Sequence, residues 1–122
     1  VGRRPVVCGA ALIAVVGAVV SVPDVLAVML LGLLVMTVGF FAAHTVASSW
    51  VSRRAVLLPD GRPAIASAQY LFGTYAGSSI VGTVGGLAYD AGAWPATAAY
   101  IAALLVATLV LALGVRPLPA AP

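Results

Sequence analysis

Of the 122 residues, 63% are hydrophobic and only 7% are charged. A soluble domain carries about 25% charged residues, so the composition excludes an ordinary water-soluble fold and points to an all-α membrane protein. The net charge of +3 rests entirely on arginine against aspartate, with no lysine, glutamate or asparagine. No basic run is interleaved with aromatics, and nucleic acid is excluded as a partner on that ground.

Crossing the hydrocarbon core takes about 20 apolar residues in a helix. Four stretches meet or approach that length, and four transmembrane helices are expected over about 5–22, 25–50, 64–89 and 94–115. Backbone polar groups have no water to bond in lipid, so each stretch is expected to be α-helical. The first is led by Arg3 and Arg4 and carries Cys8, the only cysteine. A thiol with no second cysteine and apolar surroundings reads as inert packing. Two arginines before an apolar run also open many signal peptides. The residues around Ser21 lack a small-x-small cleavage pattern, so a retained span is the preferred reading. Ala10, Ala14 and Ala18 form a small-residue row along it.

The second stretch carries Thr37, Phe41, His44 and Ser48 at spacings that share one helical face. A polar stripe on a membrane helix faces protein or water rather than lipid. His44 is the only histidine, and imidazole is the side chain whose ordinary titration falls near neutral pH. A transport or proton pathway is one reading of this stripe. A histidine hydrogen-bonded within the bundle, or reaching the interface, is the other. Trp50, Arg53 and Arg54 then close the stretch.

The third stretch is the least lipid-like. Gln69, Tyr70 and Thr74 join the stripe residues as candidate cavity positions. Gly73 and Gly77 make one G-x-x-x-G pair, and Ser78, Gly82 and Gly86 make a second row. Small residues four apart let backbones approach closely, so this helix is expected to be buried on several sides. The first and fourth stretches are expected to be outer, lipid-facing helices. The prolines agree with these limits: Pro5, Pro63 and Pro95 stand at starts, where a missing N–H has no helical acceptor to lose.

Arg3, Arg4, Arg53, Arg54, Arg62 and Arg116 all fall on one side of a four-span topology, and Asp24 and Asp90 on the other. Arginine-rich connections stay in the cytoplasm, so both termini are expected there, with the tail 117–122 disordered. No carboxylate lies within a proposed span. One histidine and three scattered aspartates form no ligand set or catalytic constellation. No enzyme activity, metal or cofactor is expected.

The stretch GFFAAHTVASSWVSRRA at 39–55 and the stretch GRPAIASAQYLFGTYAGSSIVGTVGGLAYDAGAWP at 61–95 resemble the C-terminal part of major facilitator superfamily (MFS) transporters. The look is that of bacterial efflux permeases of the arabinose/drug-efflux type. The resemblance implies that the four spans correspond to helices 9–12 of a twelve-helix fold. It implies that Thr37, Phe41 and His44 face a central cavity, and that the glycine rows let two halves rock. It also implies a secondary active transporter of the inner membrane that exports a small organic molecule, by proton antiport. The chain is then a fragment, partnered by a missing N-terminal half and incomplete on its own. Two other readings are open: an independent four-helix protein acting as a dimeric small transporter, and a structural or assembly subunit of a membrane complex. Small multidrug exporters share this length, but they depend on a glutamate that this chain lacks.

Overall fold

The computed structural model describes residues 3–114; Arg116 and the tail 117–122 lie outside the described residues. Three helical elements are present: α1 (Arg3–Val20), α2 (Leu26–Val56) and α3 (Pro63–Gly114). Four helices are expected from the sequence, and the difference lies in α3. At about 1.5 Å per residue, its 52 residues would make a rod of about 78 Å if straight. It is not straight. Gly92 (φ −161°, ψ 28°) and Ala93 (φ 53°, ψ −150°) are non-helical, and the chain reverses across them. The Tyr100 hydroxyl donates to the Val81 carbonyl at 3.1 Å. Nineteen residues along one helix would separate these positions by about 28 Å. The third and fourth expected helices are thus two arms, 63–91 and 94–114, joined by two residues with no polar loop between them.

Pro95 explains where the break falls. Its ring has no N–H to give the preceding turn and clashes with the carbonyl four residues back. Pro23 and Pro59 act likewise just beyond the ends of α1 and α2. The second helix runs on to Val56, past the expected limit at Trp50. Its last turn holds Arg53 and Arg54, whose charges complement the helix C-terminus. The Arg54 guanidinium also lies 5.8 Å from the centroid of the Trp50 ring, a favourable cation–π distance.

The closest packing is between α1 and α2. A methyl group at Gly17 would run into the Met36 backbone nitrogen and one at Gly32 into the Ser21 nitrogen, and one at Gly39 would lie 2.5 Å from the Ala14 nitrogen. Only glycine allows this backbone-to-backbone approach. Positions rising along α2 meet positions falling along α1, so the two are antiparallel. The second arm is antiparallel to α1 as well. The Trp94 indole donates to the Ser21 carbonyl at 2.8 Å, and the Arg4 guanidinium donates to the Leu113 carbonyl at the opposite end. Arg4, Arg53, Arg54 and Arg62 consequently gather at one end of the bundle, and Ser21, Asp24 and Asp90 at the other.

The division into inner and outer helices differs from expectation. Val7, Ala10, Ala11, Ala14, Ala18 and Ser21 of α1 and its end are all buried, whereas no residue of arm 63–91 is. Within the described residues α1 is the hub, because its alanine row admits two neighbours. The outward faces are apolar: Leu26 is 72% exposed, Phe72 76% and Leu111 71%. Both α2 and α3 contain windows long and apolar enough to cross a membrane. A coat of this kind suits lipid and not water.

Candidate functional site

Most of the polar side chains picked out by the sequence are satisfied locally. Thr37 donates to the Leu33 carbonyl at 2.7 Å, Ser48 to Thr45 at 3.0 Å and Thr74 to Tyr70 at 2.9 Å. Ser78, Ser79 and Thr83 do the same on arm 63–91. A hydroxyl that bonds the carbonyl three or four residues back needs no partner on another helix. The hydroxyl-rich character of this arm therefore does not by itself require a polar cavity.

His44 and Tyr70 are different. The Tyr70 hydroxyl lies 3.0 Å from His44 Nδ1 and 3.4 Å from the His44 carbonyl oxygen. The bond joins α2 to the first arm. The His44 ring also stacks on Phe40, with centroids 6.0 Å apart and 16° between planes, and sits 5.3 Å from the Tyr70 ring. Phe40 and His44 are four apart on α2, so helical periodicity places them on one face. Tyr70 arrives from α3 and could not be paired with them by spacing. The imidazole is thus held on one face by an aromatic ring and at one nitrogen by a phenol.

This cluster forms the wall of a cavity of about 150 Å³ at the junction of all three elements. From α1 it is lined by Val7, Ala11 and Ala14, and from the second arm by Leu105 and Thr108. Ala43 and Ala47 complete the α2 wall around His44. A second cavity of about 180 Å³ is lined by Met36, Thr37, Phe40, Phe41, Ile101 and Leu105. Phe40 and Leu105 are common to both cavities. The expected stripe is therefore divided. Thr37 and Phe41 line one cavity, His44 and Tyr70 the other, and Ser48 and Thr74 line neither. Gln69 is exposed and lines neither as well.

Gly73, Gly77, Gly82 and Gly86 have nothing within 4 Å of an added methyl group. Within the described residues an added methyl group on these rows meets no other helix, and Ser78 is exposed. The close-packing glycines are Gly17, Gly32 and Gly39. The seven-residue spacing of Gly32 and Gly39 was the available signal, since it keeps both on one helical face.

The chain is similar to segments of bacterial transporters. It is 43% identical over 97 residues to an uncharacterized MFS-type transporter, YybF, of Bacillus subtilis, an alignment covering 80% of this chain and 23% of that protein. It is 48% identical over 71 residues to the inner membrane transport protein YnfM of Escherichia coli, covering 58% of this chain and 16% of that one. An uncharacterized transporter of Buchnera aphidicola is 32% identical over 107 residues, covering 88% of this chain and 25% of that one. The chain thus spans a quarter or less of the length of these relatives. No family model matches the chain, and no solved structure matches it. Similarity to transporters and the apolar helices together support a membrane protein.

Proposed function

We propose that this chain is a four-span segment of an MFS transporter that exports a small organic molecule across the bacterial inner membrane in exchange for protons. The observation that carries the reading is the 43% identity to an MFS-type transporter over 97 residues. Three features of the fold support it. Arms 63–91 and 94–114 are each long enough for one bilayer crossing. The reversal at Gly92 and Ala93 lets them cross as a pair. The clustering of Arg4, Arg53, Arg54 and Arg62 at one end fits a cytoplasmic position for that end under the positive-inside rule.

In this reading the open glycine rows of arm 63–91 are the surface on which the rest of the transporter packs. Close approach of helices there suits a moving joint between halves. His44 is the protonatable group of the segment, and Thr37 and Phe41 lie on the substrate side of α2. Replacing His44 in the full-length transporter tests this. His44→Ala is expected to lower proton-driven transport by about tenfold, within the 1–3 kcal/mol typical of coupled sites, at unchanged protein level in the membrane. Equal loss of transport and of protein would reduce His44 to a packing residue.

A further inference from the structure

We infer that Tyr70 is a positioning residue for His44: it fixes the tautomer of the neutral ring and remains bonded to it when the ring is protonated. The inference stands on geometry alone and does not rest on the transport reading.

A tyrosine hydroxyl has one proton to give and lone pairs to receive another. Here it has two partners on the same residue, Nδ1 at 3.0 Å and the backbone carbonyl oxygen at 3.4 Å. An O–H···O bond is normally about 2.5–3.0 Å long, so the carbonyl contact is the weaker use of the proton. That carbonyl also lies inside α2, where the helix supplies its usual partner. The hydroxyl therefore donates to Nδ1 of the neutral ring, which must then carry its own proton on Nε2. When the ring gains a second proton, Nδ1 becomes a donor and the tyrosine oxygen receives it. The hydroxyl proton then turns to the carbonyl. One proton is added, no bond between heavy atoms changes, and Tyr70 bridges α2 and arm 63–91 in both states.

The surroundings leave this role to Tyr70. Around the cavity, α1 presents Val7, Ala11 and Ala14, and the second arm presents Leu105 and Thr108. None is charged, and Thr108 already donates to Leu104. On α2 itself the neighbouring wall is Phe40, Ala43 and Ala47. The charged groups of the same end are farther off. Arg53 and Arg54 follow His44 by about 13–15 Å along the helix axis, Arg62 precedes Tyr70 by about 12 Å, and Arg4 is engaged with Leu113.

His44 is the only histidine, so selective ¹⁵N labelling of histidine in the full chain, in detergent micelles, reads one ring without assignment. Above its titration the wild-type ring is expected to show a single tautomer, with Nε2 protonated and Nδ1 bare but shifted by an accepted hydrogen bond. Tyr70→Phe keeps the aromatic ring and removes the hydroxyl. It is expected to move Nδ1 to its unbonded position and to bring in a second tautomer. Nuclear Overhauser effects between the His44 and Tyr70 rings are expected on both sides of the wild-type titration. A wild-type ring protonated at Nδ1 when neutral, an Nδ1 signal unmoved by Tyr70→Phe, or separation of the two rings on protonation would each overturn the inference. Should the variant fail to fold, the wild-type tautomer and the proximity of the two rings in both protonation states decide the matter.

Discussion

Two glycine-bearing regions of this molecule behave in opposite ways. At the α1–α2 seam, Gly17, Gly32 and Gly39 bring backbone against backbone, with no room for a methyl group. On arm 63–91, Gly73, Gly77, Gly82 and Gly86 face open space. The second region has the more recognisable sequence pattern, and the first has the packing. Spacing states only that a helix can be approached closely. What approaches it depends on which other helix is present, and at the first seam that helix belongs to the same chain.

The comparison can be broken at the seam. Gly32→Leu drives a branched side chain into the Ser21 backbone, where no flexible group can yield. Overpacking commonly costs 1–3 kcal/mol, and here about 3 kcal/mol or more is expected. Unfolding of the purified chain by denaturing detergent, followed by helical circular dichroism, measures it. A variant as stable as the wild type would mean that α1 and α2 do not meet at Gly32.

A smaller effect is expected at the reversal. Ala93 holds a positive φ of 53° with ψ −150°, a region almost reserved for glycine. Strain of this kind costs about 1–3 kcal/mol, and part of that relief is offset by the extra freedom glycine has in the unfolded chain. Ala93→Gly is expected to stabilise by about 1 kcal/mol in the same assay. Destabilisation would show that the reversal does not use this backbone conformation.

The smallest effect is the one that sharpens the contrast. Gly77→Leu meets nothing within 4 Å, so the isolated chain should unfold within about 0.5 kcal/mol of the wild type, as for a surface substitution. Under the proposed function, the same change in a full-length protein is expected to impair assembly or transport, since it would block close approach of another helix. A large loss in the isolated chain would place a partner on this face that is a second copy of the chain itself.

Much of the architecture is legible in the sequence because its causes are local. Prolines mark where helices end, and Pro95 marks the reversal of α3 although only two residues leave the helix there. The apolar runs and the scarcity of charge set the environment. The site is legible only in part. His44 stands out as a lone histidine on an apolar helix, and Phe40 lies one turn before it, but Tyr70 joins them only through tertiary folding. The threonines and serines mislead because each looks like a cavity group while its hydroxyl serves a carbonyl of its own helix. The central place of α1 is hidden for a related reason: alanine and valine look the same whether they face lipid or a neighbouring backbone.

The bond between Arg4 and Leu113 has a consequence in time. It joins positions 109 residues apart, so the start of α1 is fastened to the end of the second arm, which is made later. At about 5–20 residues per second, roughly 5–20 s of translation pass between the two ends. For that interval α1 can hold α2 through its glycine seam, while the face that will receive the second arm is still without it. Among the described residues that face carries Val7 and Ala11, with Arg4 at its margin. A helix that waits this long for its neighbour does best with side chains that lipid can solvate in the meantime.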